Sequence, residues 1–122
     1  MSDILGTAAE SFRFQLRKSG PTTQTSAYYG SKYRGNTYTT SSNEASFSLL
    51  VLQTEASAVT MNLARNATPT SWNYTAFERY LNVAVIGGAQ NDAVGANAAT
   101  GFILSSSSGN ISGFVAVYGL AD

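Results

Sequence analysis

Ser11-Phe12-Arg13-Phe14-Gln15-Leu16-Arg17 is the stretch that decides the fold class. Apolar and polar side chains alternate strictly along it, the two-residue period of a strand with one dry face and one wet face. Phe12, Phe14 and Leu16 are therefore expected to point inward. No other part of the chain sustains a helical period for long. The one candidate helix, over residues 3–10, is interrupted by Gly6 and reads equally as an extended arm.

Further strands follow on either side of this anchor. Gly20-Pro21 breaks the pairing, and residues 22–43 are polar, Tyr-rich and punctuated by Gly30 and Gly35, as loops flanking one or two short strands. The most apolar run is 47–53, with Phe47, Leu49 and Val51 expected on one face and Leu50 and Leu52 on the other, as in a central strand covered on both sides. Val59, Met61 and Leu63 repeat the alternation, so 47–53 and 59–63 are expected to pair as a hairpin, after which the chain turns through Asn66-Ala67-Thr68-Pro69. Trp72, Tyr74, Phe77 and Tyr80 lead into a strand over 81–86 that Gly87-Gly88 should stop, and 90–100 suits an exposed loop. Phe102-Ile103-Leu104 and Phe114-Val115-Ala116-Val117-Tyr118, separated by a Ser-Gly-Asn turn, are expected to form a final hairpin. With about seven or eight short strands and turn signals roughly every 8–12 residues, the pattern is that of an all-β protein, a single antiparallel β-sandwich. Residues 1–10 are expected to be an N-terminal arm or edge segment and 11–122 the sandwich domain, since 122 residues suit one core and not two.

Composition narrows the function. Seven basic residues balance seven acidic ones, and charged residues make up 11% of the chain, about half the usual share. Polarity is supplied instead by Ser, Thr and Asn, which carry no long-range field to attract polyanions or coat an anionic membrane; neither nucleic acid nor a membrane is an expected partner. The chain has no Cys and no His. The commonest general base, the commonest metal ligand and the best nucleophile are thus missing together. No metal, no cofactor and no catalytic residue is expected. There is no basic n-region followed by an apolar run and no apolar stretch near the roughly 20 residues that span a bilayer, so the expectation is a soluble protein made in a cytoplasm.

Three weaker signals reduce to composition or turns. The carboxylates are scattered, with no sequence pairing that favours a dyad of the glycosidase kind. Gly87-Gly88-Ala89-Gln90-Asn91-Asp92 lacks the Lys-Ser/Thr of a phosphate loop and reads as a turn, and Asp92 with Asn91 and Asn97 brings too little charge for Ca²⁺. Asn66, Asn73 and Asn110 open glycosylation-like triplets that an Asn- and Thr-rich chain produces by chance.

Tyr28, Tyr29, Tyr33 and Tyr38, interleaved with Lys32 and Arg34, form the most distinctive cluster, and Trp72 with Tyr74 poses the same question. Such rings serve a protein interface, where Tyr buries area at low entropic cost, or pack in the core, or stack on a sugar ring. Interface and sugar binding both require exposed rings.

Ser112-Gly113-Phe114-Val115-Ala116-Val117-Tyr118-Gly119-Leu120 resembles the closing strand of β-sandwich modules in bacteriophage tail-fibre and capsid-decoration proteins. Met61-Asn62-Leu63-Ala64-Arg65-Asn66, followed by Ser71-Trp72-Asn73-Tyr74, is similar to a strand and aromatic loop of the same modules, although Ala64 and Ala67 depart from their pattern. The resemblance covers the C-terminal half and implies a jelly-roll-like sandwich in a virion, made in a bacterial host. It implies a homo-oligomer, often a trimer, docked on a larger capsid or tail protein, and no catalytic residues. The alternative is a lectin-like module that binds a surface glycan through the aromatic clusters.

Overall fold

The alternation in Glu10–Lys18 is that of a core strand: Phe12, Phe14 and Leu16 are buried, while Arg13 is exposed between them. The structure, a computed structural model, describes residues 1–18, 22–64, 69–94 and 98–119. These contain eleven strands and no helix: β1 (Ser2–Gly6), β2 (Glu10–Lys18), β3 (Thr22–Thr23), β4 (Tyr28–Arg34), β5 (Thr37–Glu44), β6 (Phe47–Leu52), β7 (Ala58–Ala64), β8 (Thr70–Glu78), β9 (Val83–Asn91), β10 (Ala99–Ser106) and β11 (Ile111–Phe114). The expected breaks at Gly20-Pro21 and Asn66-Ala67-Thr68, and the ligand candidate Asn97, lie outside the described residues.

All pairings are antiparallel. One layer is a five-stranded sheet in the order β5-β4-β9-β8-β7; the other sets β2 between β10 on one side and β3 and β6 on the other. β1 and β11 form a short third ladder, and β1 is fastened beside the start of β7 by reciprocal backbone bonds between Ile4 and Ser57. The core lies between the two main layers. Trp72 is at its centre, with ring centroids 4.8 Å from Phe14 and 6.1 Å from Tyr28 and from Phe47. The chain is thus an all-β protein of packed antiparallel sheets, as the alternation predicts, with eleven strands in place of seven or eight. The additional ones are β1, the two-residue β3, and β8, whose aromatics are themselves a strand.

Several local expectations are corrected. The runs 47–53 and 59–63 do not form a hairpin: β6 pairs with β2, and β7 pairs with β8 in the opposite layer, so residues 53–57 cross between sheets. β6 is also not a central strand, because β2 is its one ladder partner, and its faces are out of phase with simple alternation. Leu50 stands opposite Phe12 and Ser48 opposite Arg13, so Leu49 is the extra residue of a bulge. That shifts Phe47, Leu50 and Leu52 onto one face and leaves Leu49 buried as well.

The last two apolar runs do not pair either; β10 joins β2 and β11 joins β1. The described residues at the start of the expected exposed loop over 90–100 are pinned instead. Asn91 is fully buried, donates from Nδ2 to the Ser26 carbonyl, and accepts at Oδ1 from the Ala93 and Val94 amides.

Gly87-Gly88 does not stop a strand but sits in the middle of β9. A Cβ on Gly87 would stand 2.8 Å from both the Lys32 Cβ and the Tyr74 Cε1, so the glycine gives the Tyr74 ring its place under the sheet. Gly87→Ala is expected to lower stability by about 1–3 kcal/mol, read as a lower denaturation midpoint with an unchanged slope.

Candidate functional site

The pleat of β4 and β8 sorts the aromatic residues singled out by sequence into two groups. Tyr28, Trp72 and Tyr74 point between the layers and are buried. The Tyr28 hydroxyl donates to the Gln24 carbonyl at 2.7 Å and accepts from the Leu16 amide at 2.8 Å, and the Tyr74 hydroxyl donates to the Leu49 carbonyl at 2.6 Å. Burial raises both phenols above their ordinary pKa, with Glu78 adding to the effect at Tyr74. As stacking or docking platforms these three are corrected: satisfied core phenols and a core indole cannot reach a ligand.

Lys32 and Arg34 also leave the proposed platform, because residues of even number in β4 face the core side while Tyr33 faces out. Lys32 donates to the Ser48 carbonyl at 2.7 Å and lies over the Phe47 ring; burial first, and the neighbouring Arg34 second, push its ammonium below the usual value. Arg34 donates from Nε to both oxygens of the buried Glu78, at 2.7 and 2.9 Å, and Glu78 Oε1 also accepts from the Val51 amide at 2.8 Å. Glu78 is the charged end of the inward row Thr70, Trp72, Tyr74, Ala76, and one carboxylate thus links β4, β8 and β6 across the layers.

Tyr33 and Tyr38 remain at the surface, with Tyr29 partly covered on the same face two rows away. Tyr33 and Tyr38 are directly opposite across β4 and β5, each more than half exposed, with ring centroids 4.9 Å apart. The same register continues from Tyr33 to Ile86, which is 60% exposed, then to Thr75 and Thr60. Phe77, also exposed, projects from the next outward position of β8, between Ala84 and Ala58. The adjacent row reads Thr40, Ser31, Gly88, Asn73, Asn62, and the row beyond it Tyr29, Gln90, Ser71, Ala64.

None of these outward residues is charged. The outer face of the other layer differs: there β2 presents Arg13 and Arg17 beside Ser105 and Gly101 of β10. The two broad surfaces of the sandwich are therefore chemically distinct.

No family model, curated protein or solved structure matches this chain.

The uncharged face is consequently the feature from which function has to be read. Ile86 and Phe77 are its residues that sequence reasoning missed. Ile86 was legible only as part of an apolar run; its signal is that Val83-Ala84-Val85-Ile86 offers apolar side chains at both phases of the alternation, which is one face more than the core uses. Among the described residues no cluster of three His, Cys, Asp or Glu side chains gathers as metal ligands would.

Proposed function

We propose that this chain is a non-enzymatic structural protein of a bacteriophage particle, a capsid-decoration or fibre component, that works by oligomerising and by docking on a larger capsid or tail protein. The observation that supports this reading is the outer face of the five-stranded sheet, whose outward strand residues around the exposed Tyr33, Tyr38, Ile86 and Phe77 are uncharged, with the Asp92 carboxylate at its border on Gln90. At half exposure these four side chains offer an apolar patch on the order of 400 Å², in the range where patches on monomers are often functional. The polar groups around it are hydroxyls and amides, which hydrogen-bond across an interface without the cost of burying a charge. The particle assignment itself rests on the sequence resemblance of residues 112–120, 61–66 and 71–74 to phage modules.

Light scattering on the purified chain is expected to give a closed oligomer, a trimer being the size the resemblance implies. A stable monomer at micromolar concentration overturns the reading. Ile86→Glu is expected to leave the fold intact, because the side chain faces solvent, and to weaken association with copies or scaffold at least tenfold by burying an unpaired carboxylate.

A lectin-like module is the second reading, favoured by the exposed Tyr33–Tyr38 pair and by a shallow depression over Gly88 bordered by Tyr29, Ser31 and Gln90. A glycan array in which Tyr33→Ala abolishes a specific signal would select it over assembly alone.

A further inference from the structure

Glu10 opens the inward row of β2 that continues through Phe12, Phe14 and Leu16, and it is nearly as buried as they are, at 3% exposure. Glu78 holds the matching place at the end of the β8 row, where Arg34 and the Val51 amide compensate it. Glu10 has neither. Both of its carboxylate oxygens are buried, and neither has a hydrogen-bond or ion-pair partner among the described residues. Residues 1–9 and 99–119, which include the turns packed against it, contain no Lys and no Arg. An uncompensated charge is the costliest thing a core can enclose, so a group from outside the chain has to cancel it.

The backbone around this carboxylate is cut back. A Cβ on Gly6 would collide with Oε1 and stand 3.0 Å from Cδ. A Cβ on Gly109 would stand 2.8 Å from Oε2 and closer still to the Thr7 hydroxyl. Gly109 also has a φ of +71°, so both space and backbone favour glycine there. Two oxygens from one turn, one charged and one neutral, therefore converge on a hollow that the other turn leaves open. Local bonding holds the two turns in place. The Ser107 amide donates to the Ser11 carbonyl, the Ser11 amide to Ser107 Oγ, and the Gly6 amide to the Gln53 carbonyl, while Ser106 Oγ reaches the Ser108 and Gly109 carbonyls.

We propose that Glu10 and Thr7 hold a dehydrated monovalent alkali cation between the β1–β2 and β10–β11 turns. The donors are oxygen only, which selects a hard cation. One negative charge is cancelled by one positive charge, whereas a divalent ion would leave a net charge enclosed. Bare sodium is smaller than water and suits a space in which the carboxylate oxygens meet no solvent. The ion also joins the ends of a ladder: Gly6 closes β1, and its partner Ile111 opens β11. Because the site exists only in the folded chain, occupancy adds directly to the folding equilibrium.

Urea denaturation of the unaltered chain in sodium, potassium and choline chloride at matched ionic strength tests this. With sodium the folding constant is expected to rise, approaching tenfold for each tenfold increase in concentration once the site fills. In choline, which is too large to enter, it is expected to stay level. Equal behaviour in all three salts overturns the proposal, and a rise confined to calcium chloride overturns the monovalent assignment. Glu10→Gln is expected to abolish the sodium dependence, and Thr7→Val, at an exposed residue and of the same shape, to shift it to higher concentration. Sodium NMR gives a reading independent of folding: the unaltered chain is expected to broaden the sodium resonance and excess potassium to reverse this. An unbroadened resonance, or a sodium dependence that survives in Glu10→Gln, would show that Glu10 holds no such ion.

Discussion

Arg34→Ala is expected to cost about 3–5 kcal/mol, because it leaves the Glu78 carboxylate buried without its hydrogen-bonded counter-charge. Glu78 has no solvent access and is held by Arg34 and by the Val51 amide alone among the described residues. With Arg34 gone, the Val51 N–H and the more distant field of the Lys32 ammonium are left to compensate a whole charge in the space between the layers. For a domain whose total stability is on the order of 5–15 kcal/mol, that is enough to leave a large unfolded fraction on warming. Glu78→Gln is expected to cost less. It keeps an acceptor for Val51, and the Arg34 side chain, 25% exposed, can turn its charge to water, which the carboxylate cannot. Urea denaturation of the two variants checks the order; equal losses would show that the charge on Glu78 is not what the pair neutralises.

Trp72→Ala is expected to cost a similar 3–5 kcal/mol, for a different reason. The indole touches both layers, through Phe14 and Phe47 on one side and Tyr28 on the other, so its removal leaves a cavity that neither sheet can close alone. Its Nε1 is buried without a hydrogen-bond partner among the described residues. Trp72→Phe therefore discards an unsatisfied donor together with some volume and is expected to lose clearly less than the alanine variant. A thermal melt that ranks phenylalanine as low as alanine would mean that ring volume is not what matters at this position.

The sequence carried the fold class because β2 is amphipathic in the plainest way, and its buried row Phe12, Phe14, Leu16 follows directly from the two-residue period. Pairing was less legible. Adjacent apolar runs suggested hairpins, but in a sandwich a run can cross to the opposite layer through a link as short as residues 53–57, and nothing in Thr54-Glu55-Ala56 distinguishes such a crossing from a turn. Phase was lost at Leu49, where one bulged residue puts Leu50 on the face expected of its neighbour. Gly87-Gly88 looked like a terminator because its purpose, room for Tyr74 and Lys32, comes from residues distant in sequence. The aromatic cluster was visible as composition but not as geometry. Once Tyr28 and Tyr33 were assigned to opposite faces of one strand, parity alone determined which rings could meet a partner.

An outer sheet surface built from tyrosine, isoleucine, threonine and asparagine also fixes how any union made through it should respond to its medium. Dissolved ions weaken contacts by screening opposed charges, and the outward residues around Tyr33 and Ile86 bring none to screen. Dilution into low-salt buffer or transfer to brine should leave such a contact almost unchanged, and strongly hydrated anions such as sulfate should tighten it by favouring apolar burial. A protein joined in this way keeps its grip across surroundings of very different ionic strength.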